Sequence, residues 1–254
     1  MKVRILGCGT STGVPKIGNE WGACDPDEPR NARLRSSILV ESGGQRVLVD
    51  CGPDLRQQLL AADVGMLDGV IVTHAHGDHC HGIDELRPVA QAIGHPVTIH
   101  ARRHVLDELE LRFAYAFERT EFYRPIVEGR ELGAELEFGR CRVTFVDQPH
   151  GGTVSLGARF DENGYSIGYA VDFSVLSDEM ASLYQGVDVW IADCLTRLPH
   201  PTHMHLDALL GAARELRVGQ LYLVHMGNSL DYRTLIAELP DWAEPAYDGL
   251  EFNS

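Results

Sequence analysis

No apolar run in this chain approaches the ~18–20 residues needed to cross a bilayer. The opening Met1-Lys2-Val3-Arg4-Ile5-Leu6-Gly7 holds no stretch of signal-peptide length. These absences point to a cytoplasmic protein without a membrane partner. The sequence also lacks a Pro/Gly/Ser-rich linker, a low-complexity tract and a repeat of solenoid period, so residues 1–254 read as one domain. The six cysteines (Cys8, Cys24, Cys51, Cys80, Cys141, Cys194) form no C-x-x-C pair, so reduced thiols are expected rather than a disulfide framework. Basic residues are the scarce charge, 22 against 37 acidic, for a formal net charge of -15. Such a surface repels a phosphate backbone, and without a local basic patch it excludes stable binding of long nucleic acid. A small phosphorylated substrate stays open, because bound metal cations can set the local field.

Histidine is plentiful, with 12 residues, most of them clustered at the ends of apolar runs. Short β-branched runs predict strands at Val3–Leu6, Ser37–Val40, Arg46–Val49, Val70–Thr73 and Val97–His100. Further strands are expected near Val143–Val146, Tyr165–Val171, Val189–Ala192 and Leu221–Val224, with a closing strand in Ala246–Phe252. Helical spacing marks Asp54–Ala62, Arg102–Phe113, Ser174–Tyr184 and Leu206–Leu216. Strands in adjacent runs that also alternate with helices fit an α/β (α+β) architecture of two mixed sheets packed face to face, with helices outside.

The chemistry concentrates in Thr73-His74-Ala75-His76-Gly77-Asp78-His79, where four potential metal ligands follow a strand of buried type. His74 and His76, two apart, can face one cation, and Asp78 and His79, past the turn at Gly77, can reach a second. Imidazole suits zinc, iron or manganese, and carboxylate suits harder ions. A chance run of histidines in a polar loop is the plain alternative, and the specificity of the pattern weighs against it. His150, Asp172 and His225 also stand at strand ends. Each alone reads as a structural residue; together with the first cluster they read as ligands.

The cluster His74–His79, followed in order by His150, Asp172 and His225, resembles the metallo-β-lactamase superfamily over nearly the whole chain. The resemblance implies a four-layer αββα sandwich with the site at one edge. It implies that His74, His76 and His150 hold one divalent metal (zinc or manganese, with iron also suitable) and that Asp78, His79 and His225 hold the other. Asp172 would bridge the two, and Asp50 would orient the ligand loop from behind. A bridging aspartate suits the superfamily's phosphodiesterases, lactonases and thioesterases better than its antibiotic hydrolases.

The opening Leu6-Gly7-Cys8-Gly9-Thr10-Ser11-Thr12-Gly13-Val14-Pro15 looks like that of the phosphodiesterase branch. That branch includes PhnP-like cyclic phosphodiesterases and, more distantly, tRNA 3′-processing nucleases. Pro199-His200-Pro201-Thr202-His203-Met204-His205 matches the place where the branch keeps a non-ligand histidine on the phosphate, best met by His203, with His205 as the other register. PhnP-type enzymes also carry a cysteine cluster for a structural zinc. Here Trp21-Gly22-Ala23-Cys24-Asp25-Pro26-Asp27 has one thiol, and no structural zinc site is expected.

The implied function is hydrolysis of a small or cyclic phosphodiester, such as a phosphoribosyl 1,2-cyclic phosphate, by a hydroxide shared between two metals, with Asp78 and His203 catalytic. A lactonase or thioester hydrolase on the same metals is the enzymatic rival, and a non-catalytic, metal-stabilised regulatory module is the rival of another class. The aromatic stretch Arg112–Phe117 with Tyr123 reads first as core packing, then as a substrate wall or homodimer contact. Cys80, His81, His95, His100 and His104 fill no ligand slot.

Overall fold

The structure, a computed structural model, describes residues 1–253. Its first sheet is built from β1 (Lys2–Gly7), β2 (Ser37–Ser42), β3 (Gln45–Val49), β4 (Gly69–Ile71), β5 (Val97–Ala101) and β6 (Val127–Glu131). The second holds β7 (Glu135–Phe138), β8 (Cys141–His150), β9 (Thr153–Glu162), β10 (Tyr165–Ala170), β11 (Val189–Asp193), β12 (Gln220–Val224) and β13 (Ala243–Pro245), and β14 (Glu251–Asn253) returns to the first. Strand order is β14-β1-β2-β3-β4-β5-β6 in one sheet and β13-β12-β11-β10-β9-β8-β7 in the other. The helices are α1 (Leu55–Ala62), α2 (Gly77–Cys80), α3 (Leu86–Ile93), α4 (Arg103–Arg112), α5 (Ala114–Phe117), α6 (Asp178–Tyr184), α7 (Leu206–Leu216) and α8 (Tyr232–Glu238).

The layers follow from the two-residue period of a strand. In β3, Val47 and Val49 enter the core that faces the second sheet, while Leu48 between them joins the core beneath α1, α3 and α4. Val40 and Leu39 in β2, and Ile71 and Val70 in β4, divide the same way. These strands are therefore apolar on both faces, the signature of a sheet covered on both sides. Helices α6, α7 and α8 pack on the second sheet through Met180, Tyr184, Leu209, Leu216 and Leu235. The result is the expected four-layer αββα sandwich.

Two sequence-based boundaries change. The helix expected over Ser174–Tyr184 begins at Asp178, because the Ser177 hydroxyl caps it by accepting from Met180 N–H. Ser174 is instead tied to the end of β8, its N–H donating to Pro149 O at 2.8 Å. In Ala246–Phe252 only the end pairs with β1, because Asp248 is diverted inward, its carboxylate accepting from Cys8 N–H at 3.0 Å and Leu34 N–H at 2.7 Å. Edge strand β6 carries Glu128, Arg130 and Glu131 and shows no apolar alternation, whereas β7 alternates Glu135 and Glu137 with Leu136 and Phe138, which face the core. Only pairing to β5 makes β6 a strand, while β7 pairs with β8 at the edge of the second sheet.

Asp248 offers a stability test. Burial raises its pKa to about 6, against the two main-chain donors that favour its charge. Asp248→Ala orphans both N–H groups and is expected to cost ~2–4 kcal/mol, at roughly 1–3 per unsatisfied donor. The measurement is a urea midpoint at unchanged slope; a midpoint indistinguishable from wild type removes this clamp from the account.

Candidate active site

The ligand-rich loop is held at both ends by one carboxylate. Asp50, fully buried at the end of β3, accepts Thr73 N–H at 2.8 Å and the Thr73 hydroxyl at 2.9 Å, and faces His79 Nδ1 at 2.7 Å. Thr73 precedes the loop and His79 lies near its end, so Asp50 sets both its entry and the tautomer of His79. The loop packs so tightly on the Asp50 turn that a Cβ at Gly52 would lie 2.0 Å from Asp78 O, which requires glycine there.

Three key residues share an unusual backbone. Asp50 (φ 65°), Asp172 (φ 55°) and His225 (φ 55°) are all left-handed at or just past strand ends, a conformation that costs energy and turns the side chain out of the strand's alternation. Their surroundings hold it. The Ser155 hydroxyl lies 2.8 Å from Asp172 O and Gln148 Nε2 donates to Val171 O at 2.9 Å, both from within the core. Beyond His225, Met226 N–H donates to Cys8 O at 2.9 Å and its carbonyl accepts from Thr10 N–H at 3.2 Å.

With the loop and the strand ends so fixed, the side chains converge. Ligand atoms of His74, His76 and His150 lie within 4.8 Å of one another, as do those of Asp78, His79 and His225. Asp172 stands between the two sets: its Oδ2 is 2.8 Å from His79 Nε2 and 3.5 Å from His225 Nε2, and its Oδ1 is 3.5 Å from His150 Nε2. His79 Nε2, His225 Nε2 and Asp172 Oδ2 are buried yet make no well-oriented hydrogen bond despite this proximity. Such lone pairs suit a shared cation. Burial disfavours charge on His79 and His225, but the carboxylates outweigh it. Asp50, Asp172 and Asp78 hold His79 well above the ordinary imidazole value, and Asp172, Asp193 and Asp78 raise His225 to about 10. Burial beside His79 pushes His74 the other way. Four carboxylates, Asp50, Asp78, Asp172 and Asp193, surround these imidazoles, and their formal charge equals and opposes that of two divalent cations. The donor set fits the group.

Asp193 was missed in the sequence. It is fully buried at the end of β11, its Oδ2 2.8 Å from His203 Nδ1 and its Oδ1 3.6 Å from His225 Nδ1. The available signal was an aspartate closing the apolar run Val189-Trp190-Ile191-Ala192, the placement that singled out Asp172. His203 lines the cavity of about 450 Å³ over the site, and His205 does not; His205 instead starts α7. The other walls of this cavity are polar or small: Ser11, Thr153, Thr202 and the glycines 151 and 152. His150 is oriented by Thr202 O, 2.9 Å from its Nδ1. Cys80 is buried beside the His76 carbonyl. Phe113 and Phe117 pack on the helix-covered core of the first sheet, while Tyr115 and Tyr123 are exposed.

Among the described residues, Cys24 joins none of the clusters that could hold a metal; its buried thiol lies 3.5 Å from Leu230 O. Cys24→Ser is expected to leave metal content unchanged, and a tightly bound zinc lost from that variant would show a further site.

Sandwich and cluster together are those of the metallo-β-lactamase fold. The chain belongs to the β-lactamase superfamily, whose domain model matches residues 45–226. It superposes on the structure of a diphosphatase from the PhnP family with a TM-score of 0.90 and 32% identity, covering 99% of this chain and 96% of that one. It is 29% identical over 259 residues to an octanoyltransferase of Porphyromonas gingivalis, covering 99% of this chain and 51% of that protein. A ribonuclease Z of Bacillus thuringiensis matches at 28% over 134 residues, 51% of this chain and 44% of that protein. The alignments thus cover about half the length of these two curated relatives.

Proposed function

We propose that this protein is a dinuclear metal-dependent phosphodiesterase acting on a small or cyclic phosphodiester. The observation that carries the reading is His203, a histidine outside the two ligand triplets, on the wall of the metal cavity and backed at 2.8 Å by the buried Asp193. His74, His76 and His150 would hold one cation, Asp78, His79 and His225 the other, and Asp172 both. When bound, two divalent cations supply Lewis acidity for the phosphoryl oxygens and a water acidic enough to attack near neutral pH. Asp193 accepts from His203 Nδ1–H and so aims Nε2 at the cavity, where the ring, once it carries a second proton on Nε2, would donate to a phosphate oxygen or the departing alkoxide. Asp78 and Asp172 supply the negative charge that retains the cations. Likeness to the PhnP-family diphosphatase supports phosphoryl chemistry over acyl chemistry. So does a cavity wall without an apolar side chain, where an acyl chain would find little to bury against.

The test is turnover of bis-p-nitrophenyl phosphate and of a phosphoribosyl 1,2-cyclic phosphate beside that of an acyl lactone and a thioester. Zinc-, manganese- and iron-loaded protein should each be assayed. Phosphodiester turnover is expected to dominate. A metal-loaded protein that opens only the lactone or thioester overturns the reading, and one inert to every substrate favours a non-catalytic role.

A further inference from the structure

We propose that a second groove, away from the metal cluster, binds a nucleotide, with its phosphate on Arg119 and Arg124 and its base against Phe122 and Tyr123. The groove, of about 640 Å³, lies between the end of α3 and the segment that leads into β6. Its size falls within the ~300–1,000 Å³ usual for small-molecule sites.

Charge is the first observation. In a chain of net charge -15, this groove is lined by Arg87, Arg119, Arg124 and His95 and by no carboxylate. Most arginines here sit against an acid, as Arg87 does with Asp84 at 3.7 Å. Among the described residues, Arg119 and Arg124 have no carboxylate within 4.0 Å. Two unpaired guanidiniums suit a phosphate, which they can grip with paired donors.

The aromatic pair is the second. Phe122 is 81% exposed and Tyr123 68%, yet the turn that carries them is built: Thr120 N–H donates to Tyr123 O at 3.0 Å, and Tyr123 N–H donates to the Thr120 hydroxyl at 3.0 Å. Its base is tied down where Ile126 N–H donates to Ala116 O at 2.7 Å and Val97 N–H donates to Ile126 O at 2.9 Å. Exposed rings beside unpaired arginines are the combination that stacks a base and holds its phosphate.

Position separates this groove from catalysis. Strands β4, β5 and β6 are parallel, with the ligand loop following the end of β4 and the groove preceding the starts of β5 and β6. A five-residue strand such as β5 spans ~16 Å. The bound nucleotide is therefore not the ester being hydrolysed, and the inference stands apart from the proposed activity.

Calorimetry on metal-loaded protein would compare AMP, adenosine and inorganic phosphate. AMP should bind more tightly than either part. An Arg119→Glu/Arg124→Glu double variant should lose at least ~10-fold in AMP affinity, the scale of a lost charge-assisted contact, and Tyr123→Ala should weaken AMP but not phosphate. Bis-p-nitrophenyl phosphate turnover should be unchanged in both variants, each checked for folding by circular dichroism. The proposal is overturned if AMP does not bind wild type. It is overturned equally if AMP binds the double variant as well as wild type, or only in competition with bis-p-nitrophenyl phosphate. A wild-type dimer that the double variant splits, with no AMP bound by either, would make this face a contact between copies and also overturn it.

Discussion

Asp172→Ala is expected to lose both bound metal and turnover. Its two carboxylate oxygens face both imidazole sets, at 2.8 Å from His79 and 3.5 Å from His150, so its loss would be felt at both proposed cation positions. Removal of a partner behind a ligand costs ~10–100-fold in affinity, and loss of a shared ligand should exceed that. Metal analysis after exhaustive dialysis should find two divalent ions per chain in wild type and a clear deficit in the variant, with activity falling in proportion. Asp172→Ala protein that keeps two ions through dialysis would remove the bridging role and the dinuclear scheme with it.

His203→Ala should do the opposite, retaining both ions while losing ~10²–10⁴-fold in turnover, the usual span for a general acid or base. The geometry separates the two outcomes. His203 Nδ1 is committed to Asp193 at 2.8 Å, and its ring lies between those of His150 and His225, 5.0 Å from each. It can act on substrate without being needed to hold a cation. The defect should shrink on p-nitrophenyl esters, whose leaving group departs with little protonation. An equal loss on good and poor leaving groups would mean that His203 only positions the phosphate. Asp193→Asn should share the defect in weaker form, since an amide can still orient the ring without the charge. A His205→Ala protein that is inactive while His203→Ala is fully active would reverse the register.

Much of this protein was determined by its sequence. Alternating and continuous apolar runs predicted the central strands, because a strand covered on both faces must be hydrophobic on both. Leu206–Leu216 matches α7 to the residue. Histidines and aspartates at strand ends were visible because a rigid strand delivers its last side chain to a fixed place, and the spacing of His74, His76, Asp78 and His79 is local. Tertiary structure alone decided the rest. The charged edge strand β6 exists only through its neighbour, and Ser174 leaves its expected helix to bond the end of β8. Asp193 took its role from two histidines, 10 and 32 residues further along the chain, which no local pattern links to it. The left-handed turns at Asp50, Asp172 and His225 were equally invisible. No intrinsic preference selects that conformation at all three; it is imposed by buried hydrogen bonds and packing from strands distant in sequence.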